Sequence, residues 1–426
     1  MRKDTMDLLE ELQWRGLIEQ STGLEKLAET MAAGPITYYC GFDPTGPSLH
    51  HGHLVQLVLL RHLQLAGHHP IALVGGATGL IGDPRESGER TLNALDVVAE
   101  WTERLRRQIE PFLSFEGENA ARMVNNYDWT SQMSAIELLR DVGKYFRVGP
   151  MLAKDTVARR LASDEGISFT EFSYALLQGN DYRELFRRHG VTLQTGGNDQ
   201  WTNLLAGVEL IHKSEAREVH ALTTPLITKA DGTKFGKTEG GSVWLAPDMM
   251  SPYAFYQFWL NTDDADVVRY LKVFTFLRRE EIAELEEALA SKPWARAAQR
   301  QLAREVTTLV HGAQATADVE RASAALFGSE DLAGLPADVL GDAVSHLPSG
   351  DVVVGETSMV DLMVAVGLEK GRGAARRTIG DGGMYLNNVK VTDEEAVVAA
   401  EDVLAGGLVL VRKGKRNLAV GRVGTP

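Results

Sequence analysis

Residues 36–76 constrain the fold more than any other stretch. Ile36 to Gly41 is β-branched and aromatic and reads as a strand. A turn-rich loop follows, Phe42-Asp43-Pro44-Thr45-Gly46-Pro47-Ser48. Leu54, Leu57, Val58, Arg61, His62 and Leu65 then recur at helical spacing, and Pro70 to Val74 is a second apolar run ending in Gly75-Gly76. Strand, helix and strand in that order form a β-α-β unit, which requires a parallel sheet. Later segments alternate in the same way. Asp96–Leu113 reads as helix, Arg122–Asn125 as strand, Ser134–Phe146 as helix, Val191–Gln194 as strand and Asp199–His212 as helix. The first half is therefore predicted to be a doubly wound α/β domain.

From Pro252 to about Phe327 the pattern is helical throughout. Gly328 to Gly350, with its glycine, proline and acids, reads as a linker with a short helix. A small third unit follows, with helices at Val360–Val366 and Arg372–Ile379. Leu408–Val411, the turn Lys413-Gly414-Lys415-Arg416 and Leu418–Val420 read as a hairpin. At 426 residues and 44% hydrophobic, the chain has length for two or three domains and apolar mass for their cores.

Charge and cysteine narrow the function. A net charge of −14 argues against bulk electrostatic binding to DNA. The charge is uneven: Ala322–Glu369 holds eight acids and no Lys or Arg, while Lys370–Pro426 holds ten basic and six acidic residues. The single thiol, Cys40, excludes an internal disulfide and suits a reducing compartment. The charged start Met1-Arg2-Lys3-Asp4 has no apolar signal-peptide core, and the uncharged stretch His62–Gly82 is broken by five glycines and Pro70. A cytoplasmic protein that spans no membrane is expected.

Four constellations carry chemistry. The first is Leu49-His50-His51-Gly52-His53, where a loop opens a helix. His50 and His53 are three apart and share a face at the helix N-terminus, where free N–H groups and the dipole attract anions. Alone, His-x-x-His suits a metal site or incidental surface residues equally well; the strand-loop-helix setting, with Gly52 allowing close approach, favours phosphate. The second is Lys234-Phe235-Gly236-Lys237-Thr238, on a loop flanked by Asp231-Gly232 and Gly240-Gly241. Two such lysines suit a polyphosphate, although a plain basic loop has the same composition. The third comprises two strand-end loops: Thr195-Gly196-Gly197-Asn198-Asp199-Gln200-Trp201, and Gly75 to Asp83. In the first, Asp199 and Gln200 suit a ribose or polar substrate group; in the second, Asp83 suits an amino group; either loop alone suits a plain turn equally well. The fourth is Tyr174, Gln178 and Asp181, spaced four and three apart on one helix face.

Together these motifs resemble a class I aminoacyl-tRNA synthetase, most closely the bacterial-type tyrosyl enzymes. His50–His53 is similar to the HIGH signature and Lys234–Thr238 to the KMSKS-type loop, in the right order and with 184 residues between their starts. Tyr39-Cys40-Gly41-Phe42-Asp43-Pro44-Thr45, Gly197-Asn198-Asp199-Gln200-Trp201 and Phe172-Ser173-Tyr174 with Gln178 and Asp181 resemble the tyrosyl branch. The tail is similar to an S4-type RNA-binding module.

The resemblance implies a Rossmann-like catalytic domain over 1–247 with a dimerisation insertion around 126–169, contacts there including Phe146 and Phe169. It implies a helical domain meeting the anticodon arm over 248–327, a linker over 328–355 and an S4-like domain over 356–426. It implies that L-tyrosine is activated with ATP to tyrosyl-adenylate and pyrophosphate, then transferred to the 3′-terminal ribose of tRNA(Tyr). Tyr39 and Asp181 then bond the phenol hydroxyl. Asp83, Tyr174 and Gln178 hold the ammonium group, and Gln194 also lines the tyrosine pocket. His50 and His53 stabilise the phosphates, and Lys234 and Lys237 balance the departing pyrophosphate. Gly41, Asp43, Thr45, Gly52, Gly197, Asp199, Gln200 and Thr238 meet the nucleotide or adenylate. Arg372, Arg376, Arg377, Lys413, Lys415 and Arg416 face RNA. Mg²⁺ arrives with ATP; neither a protein-bound metal nor a tight cofactor is expected, and the chain is expected to form a homodimer with no DNA partner.

Two positions depart from the family pattern. His51 replaces the usual apolar second residue of HIGH and is expected to point away from the His50/His53 face with little effect. After Asp83, where lysine is frequent in the family, stand Arg85, Glu86 and then Arg90. The alternatives are a tryptophanyl enzyme, which shares the signatures, and a catalytically inactive RNA-binding relative. The Tyr39/Asp181 pair speaks against the first, since an indole N–H needs only one acceptor. The intact His50, His53, Lys234 and Lys237 speak against the second.

Overall fold

The computed structural model describes residues 2–85, 88, 90–233, 235–238, 241–327, 332, 334–414 and 417–424, with backbone alone for 2–7, 237, 238 and 327. Glu86, Lys234, Lys415 and Arg416 therefore lie outside the described residues, as do the side chains of Lys237 and Thr238. Two compact units emerge: Met1–Met249 with Thr262–Leu302, and Met250–Asn261 with Ala303–Pro426.

Among the described residues, the first unit is built on a six-stranded sheet: β1 (Gln20–Ser21), β2 (Thr37–Phe42), β3 (His69–Val74), β4 (Arg122–Asn125), β5 (Val191–Gly197) and β6 (His220–Thr224). Their order is β1-β6-β5-β2-β3-β4. Strands β2 to β6 run parallel, and β1 pairs antiparallel with β6. From β2 the chain winds outwards through β3 and β4, then crosses back to β5 and β6. The winding reverses between β2 and β5, and in open α/β sheets ligands bind at the carboxyl ends of strands at such a switch point.

Helices cross between the strands at His51–Leu65, Leu95–Ile109, Phe169–His189 and Trp201–Glu215. With both sheet faces covered, strands read as apolar runs: Tyr38, Tyr39, Cys40 and Phe42 are buried on β2, Ile71 to Val74 on β3. Tyr39, Ile71, Leu73, Trp129, Tyr182, Leu185 and Ile211 join in one cluster under the switch point.

Three differences from the sequence reading have physical causes. The helix expected over Ser134–Phe146 is broken into Ala135–Glu137, a π-turn Leu138–Val142 and a 3₁₀ turn Gly143–Tyr145. That break turns Phe146 inwards onto Gly179, where an added Cβ would lie 2.9 Å from its ring, whereas Phe169 is 73% exposed. Next, helices Asp264–Phe274 and Arg279–Ser291 belong to the first unit, while Pro252–Leu260 belongs to the second. Arg15 ties the former pair down: its buried guanidinium donates to the carbonyls of Thr275 (2.8 Å), Leu277 (2.6 Å) and Lys272 (3.1 Å), which end the helix Asp264–Phe274. Finally, the stretch read as a linker with a short helix holds that helix, Ala337–Val344, and also a strand, which pairs with the last strand of the chain.

That strand joins the second unit. Two short strands in the first unit, β7 (Lys237–Thr238) and β8 (Gly241–Ser242), pair with each other. The second unit carries β9 (Ser349–Val352), β10 (Met384–Leu386), β11 (Val389–Val391), β12 (Leu408–Lys413) and β13 (Asn417–Val423), in the order β11-β10-β12-β13-β9. Helices Met359–Ala365 and Arg372–Gly380 bury Leu362, Met363, Ala375 and Ile379 against Val352, Met384, Val409 and Val411 of this sheet. No helix among the described residues is long and apolar enough to cross a membrane.

Candidate active site

The helix His51–Leu65 starts at the carboxyl end of β2, beside the switch point. His50 is its N-cap, with extended backbone, and its Nδ1 accepts from the Gly52 N–H (3.0 Å). His53 Nδ1 accepts in turn from the His50 N–H (3.1 Å). Two imidazoles thus do the work that Ser and Glu do in an ordinary capping box. Burial lowers the pKa of both below the usual histidine value, so both are neutral at pH 7. Since each Nδ1 accepts, the proton of each ring sits on Nε2. The two rings lie 4.1 Å apart and offer paired Nε2–H donors at a helix N-terminus. Gly52 is required by this arrangement, because a Cβ there would lie 2.9 Å from the His50 ring.

His51 faces the segment that carries Phe235. Its ring packs edge-on against Phe235 (5.2 Å, 87°) and fills the space where a side chain at Gly236 would go. The main chain joins the same two segments: His51 N donates to Val243 O (3.0 Å) and Leu245 N to Leu49 O (2.9 Å). The second position of the signature therefore holds the loop carrying Phe235, Gly236 and Lys237.

Deeper in, a chain of polar contacts links three strand-end segments and the helix Phe169–His189. Asp181, on the helix Phe169–His189, accepts from Trp129 Nε1 (2.8 Å) and Asn126 Nδ2 (2.9 Å). Asn126 also donates to Thr78 Oγ1 (2.9 Å), and its Oδ1 accepts from Ala77 N (2.7 Å). Thr78 donates to Asp43 Oδ1 (2.7 Å), and Tyr174 donates to Asp43 Oδ2 (2.6 Å). Burial pushes the carboxyls up, Asp181 to about 7 and Asp43 to about 6, against the hydrogen bonds that favour their charged forms. Tyr39 lies beside this chain, its ring 5.4 Å from Tyr182 and its register partner Gln194 on β5. The buried oxygens Tyr39 OH, Gln178 Oε1 and Gln194 Oε1 have no hydrogen-bond partner among the described residues. Buried polar atoms are normally satisfied, so three orphans on neighbouring elements mark a place for a polar ligand.

A second polar cluster flanks the first. Asp83 accepts from Gln200 Nε2 (3.0 Å) and Asn203 Nδ2 (3.1 Å), and Gln200 also reaches Asp199 (3.1 Å). Lys154 donates to Asn203. The Asp199 charge acts on His50, opposing the effect of burial on its pKa. Gly41 and Thr45 are exposed at the end of β2 and just beyond it, and Gly197 ends β5. Sequence reasoning missed Asn126, Trp129, Asn203 and Lys154. Asn126 and Trp129 had a usable signal, since they directly follow a predicted strand in a parallel sheet; Lys154 had none.

Comparison with known proteins follows from this geometry. A family model described as tRNA synthetases class I (W and Y) matches residues 31–328, and one described as the tyrosine–tRNA ligase SYY-like C-terminal domain matches residues 340–420. The tyrosine–tRNA ligase of Streptomyces coelicolor is 61% identical over 97% of this chain and 98% of its own length. That of Mycobacterium tuberculosis is 58% identical over 98% of this chain and 99% of its own. A C-terminally truncated mitochondrial tyrosyl-tRNA synthetase from Coccidioides posadasii superposes with a TM-score of 0.65 at 33% identity, covering 73% of this chain and 90% of that one. Family match and fold are those of a class I aminoacyl-tRNA synthetase. Within that class, the chain belongs to the tyrosine–tRNA ligase family. It activates tyrosine with ATP and transfers it to tRNA; a tryptophan-specific reading is not favoured.

Proposed function

We propose that the residues above divide the reaction as follows. The tyrosine phenol lies between Tyr39 and Asp181, completing the Tyr39 hydroxyl, with Gln194 at its side. Asp83, Tyr174 and Gln178 hold the ammonium group. The carboxylate then attacks the α-phosphorus of ATP in line, and pyrophosphate departs. His50 and His53 donate from Nε2 to the phosphate oxygens, and Lys234 and Lys237 offset the charge on the leaving group. Gly41, Asp43, Thr45, Gly52, Gly197, Asp199, Gln200 and Thr238 surround the nucleotide. The reaction needs positioning and electrostatic stabilisation alone, so magnesium enters with ATP and no tight cofactor is required. The observation that carries this reading is the set of orphaned oxygens on Tyr39, Gln178 and Gln194 beside Asp181.

Other parts of the reading rest on different support. A homodimer through 126–169 is supported by the exposed Ile136, Leu139, Val148, Leu161 and Phe169. A cytoplasmic location is supported by the single, buried Cys40. Residues 1–247 act as the catalytic domain, 248–327 meet the anticodon arm, and 328–355 lead into the RNA-binding tail 356–426, with Arg372, Arg376, Arg377, Lys413, Lys415 and Arg416 on RNA. Separate His50→Ala and Lys237→Ala variants test the catalytic assignment. Each is expected to slow adenylate formation and leave tyrosine affinity nearly unchanged. A large loss of tyrosine binding in either would remove that residue from the phosphate side.

A further inference from the structure

An ion pair lies behind the loop that follows Asp83. Arg160 Nη2 and Glu171 Oε2 are 2.9 Å apart, and both side chains are 1% exposed. Glu171 sits in the first turn of the helix Phe169–His189, which Ser168 caps, where a carboxylate is favoured by the dipole. Burying two charges costs several kcal/mol each, and an apolar pair of similar volume is commonly as stable, so stability alone does not account for such a pair.

The remaining bonds of the pair all go to main chain. Arg160 Nη1 donates to Gly88 O (2.6 Å) and Arg85 O (3.4 Å), and its Nε donates to Gly166 O (2.9 Å). Glu171 Oε1 accepts from Arg90 N (3.1 Å). Three backbone groups of the 85–90 loop are thus held by one guanidinium and one carboxylate. Arg90 turns back from this anchor. Its Nε donates to Asp83 O (2.6 Å), and its side chain fills the space beside Gly82 that a Cβ would need. Its charge interacts with those of Asp43 and Asp83, as its hydrogen bond to Asp83 O requires.

We propose that Arg160 and Glu171 are positioning residues for adenylate formation: they fix the main chain at Arg85, Gly88 and Arg90 so that the Arg90 guanidinium stays beside Asp83, within reach of ATP phosphates. They touch no substrate. The proposal rests on the placement of Asp83 in the substrate site. Tyrosine binding depends little on the pair, because Asp83 is held independently by Gln200 and Asn203.

The test replaces both partners at once, Arg160→Met with Glu171→Leu, in the full chain. An apolar pair leaves no orphaned charge but frees the main-chain groups that Arg160 and Glu171 held, so melting temperature is expected to fall by several degrees, and the rates are compared well below it. Tyrosine affinity without ATP is expected to change by less than about threefold, while single-turnover adenylate formation at saturating tyrosine slows by about tenfold or more, as misplacement of a reacting group does. An adenylate rate within twofold of the parent overturns the proposal, as does a tyrosine affinity that falls as far as the rate. Should the double variant not fold, Arg160→Lys decides. It keeps a charge for Glu171 but lacks the fork for the two loop carbonyls, so the same rate-selective loss is expected and a full rate overturns the proposal. Asp83→Ala is measured alongside. If it leaves tyrosine binding intact, the site assignment fails, whatever the double variant does.

Discussion

Asp181 shows what a single residue costs and contributes here. Its carboxyl takes up a proton at about pH 7 in the fold, against 3.8 for the free side chain, because burial outweighs the donors Asn126 and Trp129. Ionised, it works against the folded state; protonated in both states, it does not. The cost is therefore present in full above about pH 7 and is relieved as pH falls through 7 towards 4. We predict that the melting-temperature difference between Asp181→Asn and the parent, both ligand-free, is more favourable to the variant at pH 8 than at pH 5. A difference that is constant with pH would contradict the shifted carboxyl. In the proposed reading, stability is here exchanged for an acceptor for the substrate phenol. At this scale the sequence was readable where spacing implied a shared face: Tyr174, Gln178 and Asp181 follow from helical period alone. Asn126 stands at a strand end, which sequence could show, but its bonds to Ala77 and Thr78 depend on β4 lying next to β3, which is a matter of sheet order.

At the scale of elements, the helix His51–Leu65 joins structure to the proposed chemistry: His50 caps it and, in that reading, donates to phosphate. The two roles separate by substitution. Asparagine keeps a good N-cap but lacks the Nε2 donor; alanine lacks both. We predict that His50→Asn and His50→Ala slow adenylate formation alike, while His50→Ala alone loses about 1 kcal/mol of stability by denaturant unfolding. Equal stability in the two variants would mean that the cap contributes nothing. We also predict that His51→Ala, which empties the space against Phe235 and Gly236, lowers kcat for adenylate formation more than it alters tyrosine KM. An unchanged kcat would show that the contact is packing only. The β-α-β unit was legible because three periodicities follow one another within one stretch. Strand β6 was not: His220 to Thr224 is buried throughout, so it shows no alternation, and with one His and two Thr among five residues it is no apolar run either. The break at Leu138–Val142 was invisible because its residues suit a regular helix; packing against Leu176 and Leu210 decides it.

For the molecule as a whole, the charge of −14 is an average over an acidic body and a basic tail. The tail's cations are not equally free. Lys413 pairs with Glu369 (2.8 Å), Arg372 with Asp361 (3.1 Å) and Arg376 with Glu394 (3.7 Å), whereas Arg377 is exposed and has no ion-pair partner among the described residues. Contact with RNA phosphate releases counterions, but a paired arginine must first leave its acid. We predict that Arg377→Glu weakens tRNA binding more than Arg372→Glu does, and lowers the salt dependence of log Kd by about one phosphate contact. Equal effects would contradict that ranking. Domain order was legible from composition and helical runs. The assignment of Asp264–Phe274 and Arg279–Ser291 to the first unit was not, because it depends on Arg15, far away in sequence, reaching the carbonyls at 272, 275 and 277. The central claim is that the phenol hydroxyl is read by Tyr39 and Asp181. A site built to hydrogen-bond a hydroxyl rejects the analogue lacking it by about 10⁴–10⁵, a magnitude known for tyrosine activation itself. The direct measurement is the ratio of kcat/KM for tyrosine to that for phenylalanine in ATP–pyrophosphate exchange, for the parent and for Asp181→Ala. The ratio is predicted to fall at least about a hundredfold in the variant; an unchanged ratio would place the hydroxyl elsewhere and contradict the account.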